Sequence, residues 1–111
     1  MPGVSTAEQY NRAVRRFEAD DYAGAATLLA GIVEQGGVGT QLLLVRAYYH
    51  SDQLPRAEET ARAVLARAPS EAYAHLLLGR VLQRPNRAAE AIGSLRLAAV
   101  MDPRLAEFAV A

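Results

Sequence analysis

The chain has 111 residues, enough for one domain with a real core and too few for two. Its twelve basic residues, all of them Arg, balance twelve acidic ones, so bulk attraction to nucleic acid or to a membrane is not expected. There is no Cys, which removes disulfides, thiol chemistry and Cys-based zinc sites, and no apolar stretch long enough to cross a bilayer. Met1-Pro2-Gly3-Val4-Ser5 lacks the basic-then-apolar layout of a signal peptide, so the expectation is a soluble cytoplasmic protein. Hydrophobic residues make up 51% of the chain, which argues against disorder. Heavy use of Ala and Arg favours helix and fits a GC-rich bacterial genome.

Six helical pieces of roughly 13 to 16 residues follow from the turn signals. The first opens at Ser5, whose S-x-x-E pattern with Glu8 predicts a capping box. It ends at Asp20-Asp21, either of which can cap the second piece. Gly36-Gly37 ends the second, where a left-handed residue is expected. The third runs to Ser51-Asp52. The fourth carries Pro55 in its first turn, where a missing N–H is harmless, and stops at Pro69-Ser70. Ser70 is the expected N-cap of the fifth, and Asn86, after Arg84-Pro85, that of the sixth. Asp102-Pro103 closes the sixth. No piece shows the alternation of a strand.

Shifting the chain against itself by 34 residues pairs Leu44 with Leu78, Arg46 with Arg80, Ala57 with Ala91 and Pro69 with Pro103. Tyr48 falls on Leu82. Several similar residues at one offset indicate an internal repeat of two helices. The last repeat, Ala72 to Leu105, carries His75, Leu78, Gly79, Leu82, Ala91, Leu95, Ala98 and Pro103 at the spacings of W-x2-L-G-x2-Y, A-x3-F and a closing Pro. The middle one, Val38 to Glu71, keeps Leu44, Ala47, Tyr48, Ala57, Val64 and Pro69. It has Val45 where a small residue is usual and Ala61 where a large one is usual, two departures that offset in volume. The first, Thr6 to Gly37, shows Ala13, Phe17, Asp21-Tyr22, Ala25 and Leu29, with Ala25 only 32 residues before Ala57.

On these residues the chain resembles the tetratricopeptide-repeat family. The resemblance implies an all-α fold, a right-handed α-solenoid of three antiparallel helix–turn–helix hairpins over 6–37, 38–71 and 72–105. It implies a single domain over 1–111 with residues 106–111 as a tail, in which a short C-terminal capping helix can form. Leu105 and Phe108 then either fold back on the helix of residues 87–101 or are covered by another molecule, which makes self-association, a homodimer for instance, the alternative function.

Residues with catalytic or metal-binding potential are sparse. His50 and His75 are 25 residues apart, too far for a two-His metal site on one helix. His75, in a slot where the family buries an aromatic ring, reads as a core imidazole with one hydrogen bond. Adjacent Glu58 and Glu59 point about 100° apart on a helix and read as a solvated face. Gly36-Gly37-Val38-Gly39 has no phosphate-loop spacing and reads as a hinge between repeats. No enzyme activity, cofactor or metal is expected.

The family resemblance implies instead a concave groove lined by the first helix of each hairpin. Its residues here are Ala7, Tyr10, Val14 and Phe17, then Leu42, Arg46, Tyr49 and His50, then Tyr73, Leu76, Arg80, Gln83 and Arg84. Tyr and Arg are enriched at interaction hot spots, and Arg forks suit carboxylates. The candidate partner-binding residues are therefore Tyr10, Arg46, Tyr49, His50, Tyr73, Arg80, Gln83 and Arg84, and the expected partner is a protein or peptide with acidic or carboxylate-terminated character. The Lys, Asn and Arg clamp of chaperone-tail binders is missing, since its places hold Tyr10, Val14, Leu43, Tyr73 and Leu77. Single-stranded RNA, bound by related repeats, needs a basic groove that a neutral chain does not offer. Residues 1–37 carry three Arg against five acids and residues 72–105 five Arg against two, a polarity that would suit head-to-tail contact between copies.

Overall fold

The computed structural model describes residues 4–109. Six α-helices follow one another: α1 (Thr6–Glu18), α2 (Tyr22–Ala30), α3 (Val38–His50), α4 (Leu54–Arg67), α5 (Ala72–Gln83) and α6 (Ala88–Met101). A 3₁₀ helix, Pro103–Phe108, completes the chain, and no strand forms among the described residues. Short connections pair α1 with α2, α3 with α4 and α5 with α6 as antiparallel hairpins. The hairpins stack through α2 on α3 and α4 on α5. Because each hairpin touches only its neighbours, the stack is elongated, 45 × 24 × 21 Å.

Local chemistry sets the helix ends. Ser5 Oγ accepts the Glu8 N–H at 3.0 Å, the cap half of the expected box. Asp21 caps α2 through the Gly24 N–H at 3.0 Å. Pro55 lies in the first turn of α4. Ser70 and Asn86 are not the caps expected of them. Glu71 and Arg87 hold those positions, with no side-chain cap bond. Asn86 instead adopts φ 63°, as Asp20 (62°) and Asp52 (61°) do at the same place in their hairpins. The following N–H then reaches back five residues: Asp21 to the Arg16 carbonyl at 2.8 Å, Gln53 to Tyr48 at 2.8 Å, Arg87 to Leu82 at 3.0 Å. This is the Schellman closure, and a short polar side chain tolerates its left-handed residue better than a bulky one. Gly36-Gly37 does not supply a left-handed end, since Gly37 is the extended N-cap of α3 at φ −92°. The second helix stops earlier, at Ala30, and loosens into turns where Gly31 and β-branched Ile32 and Val33 weaken it.

Within each hairpin one layer of side chains sets how closely the helices approach. A Cβ on Gly79 would sit 2.5 Å from Leu95 Cδ2 and 3.3 Å from the Ala91 carbonyl, so Leu95 fills the space a side chain would need. The matching pair in the middle hairpin is Val45 and Ala61, both fully buried in one cluster, with the sizes reversed as expected. In the first hairpin it is Ala13 and Leu29, also fully buried. A third cluster, Leu76, Leu95 and Ala98, is covered by Tyr73, Leu105 and Ala109. Leu105 therefore folds back on the last hairpin, while Phe108 stays 48% exposed. His75 is half-buried rather than in the core. Its Nε2 lies 3.0 Å from the Pro69 carbonyl, which can only accept, so Nε2 carries the proton.

Charged groups bind the last two hairpins together. Glu58 is not on a solvated face: Arg87 Nη1 donates to it at 2.7 Å and Arg62 Nε at 3.0 Å. Both arginines also reach Glu90, at 2.9 and 3.3 Å. Glu59 is exposed, as expected of the pair. Burial pushes the Glu58 carboxyl up, but the bonds from Arg62 and Arg87 hold it below its ordinary 4.5. Arg87 holds Glu90 down in the same way. The hydrogen bonds of Arg16 and the Gly24 amide lower Asp21, and those of Arg104 lower Asp102.

The size layer predicts strong coupling: Val45→Gly and Ala61→Leu each cost about 2–4 kcal/mol alone, and the double variant recovers at least about 1 kcal/mol of their sum in a urea-unfolding cycle. The turn geometry predicts that Asn86→Gly stays within about 0.5 kcal/mol of wild type whereas Asn86→Ala loses about 1 kcal/mol, by the same measurement. The four lowered carboxyls have folded pKa values below their unfolded ones, so their contribution is complete above about pH 5 and is lost as pH falls through the folded values. Urea midpoints should accordingly be flat from about pH 5 to 7 and fall below about pH 4, and Glu58→Gln should flatten that fall.

Candidate partner-binding site

The first helices end in a cluster of rings and guanidinium groups. Phe17 lies one residue from the end of α1, and Arg46, Tyr49 and His50 lie on the last two turns of α3. Arg84 follows α5 directly. The spacing of 46, 49 and 50 puts three side chains on one face. The Arg46 guanidinium lies over the Phe17 ring at 4.8 Å, and that of Arg84 over Tyr49 at 5.0 Å. His50 meets Phe17 at 6.0 Å and Tyr49 at 5.4 Å, both edge-on. It also lies 4.7 Å from Tyr22, which itself meets Phe17 at 5.0 Å.

Two acids of the left-handed turns complete the cluster. Tyr22 donates its hydroxyl to Asp20 at 2.9 Å, and this bond together with partial burial pushes the phenol pKa up. Arg84 donates to Asp52, and its contacts with Tyr49 and Asp52 raise its own pKa. Arg46 has no ion pair among the described residues, although it is half-buried. Among the described residues Arg46 is thus the unpaired cation of the cluster, beside an exposed imidazole and a half-buried phenol.

The expected groove residues divide into two groups. Arg46, Tyr49, His50 and Arg84 come together at the turn side of α1, α3 and α5. Tyr73 and Arg80 lie instead at the C-terminal end, where with Leu76, Leu77, Leu105 and Phe108 they line an apolar cavity of about 340 Å³. Arg80 is committed there, donating to the Phe108 carbonyl at 2.7 Å. Leu76, expected on the groove, is buried beneath the tail. Tyr10 packs on the core of the first hairpin. Gln83 is half-buried next to Arg84 and makes no side-chain hydrogen bond among the described residues. A second cleft, of about 430 Å³ and lined by Leu54, Pro55, Val81 and Pro85, has its charges Glu58 and Arg87 already paired with each other. Tyr22, Asp20 and Asp52 lie outside the first helices on which the groove expectation rests. The signal that marks the two aspartates is an Asx residue just after each first helix.

Comparison with known proteins places this architecture. The fold is similar to the Yersinia enterocolitica type III secretion chaperone SycD in complex with a peptide of the translocator YopD, at 17% identity over 91% of this chain and 81% of that one, TM-score 0.80. It is similar to MamA from Desulfovibrio magneticus RS-1, at 19% identity over 96% of this chain and 61% of that one, TM-score 0.85. It is also similar to the TPR domain of Arabidopsis OM64, at 15% identity over 94% and 89%, TM-score 0.84. No curated protein matches the chain. The profile described as Tetratricopeptide repeat matches residues 16–81, more than half of the sequence. With three stacked helical hairpins and that match running from the end of α1 into α5, the chain belongs to the tetratricopeptide-repeat family.

Proposed function

We propose that the protein is a non-catalytic scaffold that binds a peptide or protein segment along the first helices of its hairpins, with the ring and guanidinium cluster as the anchor. The observation that carries this is Arg46. Its guanidinium lies 4.8 Å from the Phe17 ring centre, half-buried and without a counter-ion among the described residues, beside the exposed ring of His50. A cation fixed on an aromatic platform recognises a carboxylate at little entropic cost, and Tyr49 adds contact area with only two side-chain torsions to order. Asp20 and Asp52 border the cluster, so the favoured partner offers one carboxylate at Arg46 rather than a run of acids. The apolar cavity at Tyr73 and Leu77 suits an aliphatic or aromatic side chain of the same segment. SycD, similar in fold, carries a translocator peptide.

The test is capture from the source cell's lysate by wild type and by Arg46→Ala/Tyr49→Ala, with bound proteins quantified by mass spectrometry. Arg80 is left intact because it holds the tail. The expected result is a specific partner whose capture drops at least about tenfold in the variant, with an unchanged circular-dichroism spectrum, and weakens with added salt. Equal capture by a folded variant would remove the anchor from the reading.

A further inference from the structure

We propose that the outward face of α6 binds a second copy of this chain, with the two α6 helices antiparallel across a two-fold axis. Leu97, Val100 and Met101 are 46, 79 and 42% exposed, and they share one stripe of the helix, at i, i+3 and i+4. The repeat shows what this face is. One period earlier, Leu97, Val100 and Met101 correspond to Ala63, Ala66 and Arg67, and in the first hairpin Leu97 and Val100 correspond to Gly31 and Glu34. All of those positions are exposed too, although another hairpin stacks on each of the first two. Stacking therefore never covers this face, and neither a further hairpin nor the 3₁₀ helix would bury it. The first two hairpins keep it small or polar. The third makes it large and apolar, a pattern that marks an interaction surface.

The size gradient along the stripe identifies the occupant. Towards the N-terminus of α6 the same stripe continues as Gly93 and Ala89, and a Cβ built on Gly93 would meet nothing within 4 Å. One half of the stripe is thus a shallow gap and the other half a ridge. A two-fold axis near residue 95 lays the ridge of one copy into the gap of the other. Leu97 then sits on Gly93 of its mate and Met101 on Ala89, the latter pair about 9 Å from the axis at the helical rise. Such a contact is isologous and closes at two copies. It also sets the two Arg96 side chains on the same flank near the axis, so salt, which screens like charges and favours apolar burial, strengthens the pairing. A head-to-tail contact between the acidic first and basic third repeats would weaken in salt instead.

Sedimentation velocity of the full chain over a range of concentrations, at low and high salt, tests the proposal. A monomer–dimer equilibrium is expected that tightens with salt and weakens at least about tenfold in Leu97→Glu/Val100→Glu. Because the chain has no Cys, register can be read independently of that variant's folding. Under mild oxidation a mixture of Gly93→Cys and Leu97→Cys chains should give cross-linked dimers, and Ala63→Cys alone should give none. A single monomer mass up to about 1 mM overturns the proposal. So does a dimer unchanged in the folded double variant, a dimer that salt dissolves, or equal cross-linking at Ala63. Capture of a different protein through Leu97 by a chain that stays monomeric assigns the face to that protein and overturns it as well.

Discussion

How near the two helices of a hairpin come is set by one layer in which a large side chain faces a small one. Leu95 lies where Gly79 leaves room, Leu29 is buried with Ala13, and Val45 with Ala61. Interiors pack at crystal-like density, so each pair holds its helices at a spacing the next hairpin can accept. Reversing the large and small members in the middle hairpin keeps the total volume and so keeps the stack. The period would fail if only one member changed.

From that layer the rest of the molecule follows in order. Fixed hairpins present α2 to α3 and α4 to α5, and the stack carries the ends of α1, α3 and α5 to one side. There the left-handed turns at Asp20 and Asp52 direct their carboxylates towards Tyr22 and Arg84. The rings of Phe17, Tyr22, Tyr49 and His50 then form one continuous platform, although they come from three different helices. Arg46 inherits its position from that platform. At the other end of the stack the 3₁₀ segment lies where a further first helix would begin, seals Leu76 with Leu105, and ties itself down through Arg80.

Much of this was legible in the residues. The 34-residue offset, the Ser5 cap, first-turn Pro55 and the small slot at Gly79 all depend on neighbours close in sequence or on one helix face, and each has a local chemical cause. The failures have one as well. Ser70 and Asn86 are good caps by composition, yet the Schellman closure before α6 needs a left-handed residue at position 86 and moves the cap to Arg87. Glu58 reads as surface by its neighbour Glu59, yet Arg62 and Arg87 close on it from two hairpins.

The sequence by itself determined the helices, the hairpin period and the family, because helix propensity, turn chemistry and apolar spacing act over a few residues. Only the tertiary structure decided which arginines are occupied. Arg80, Arg84 and Arg87 find partners 28, 32 and 29 residues away, at distances that no periodicity encodes. It also decided which leucines are covered, since Leu76 and Leu97 are equally apolar and differ only in whether another element packs over them. Long-range pairing depends on how the stacked hairpins bring their ends together, and that geometry exists only once the core has formed.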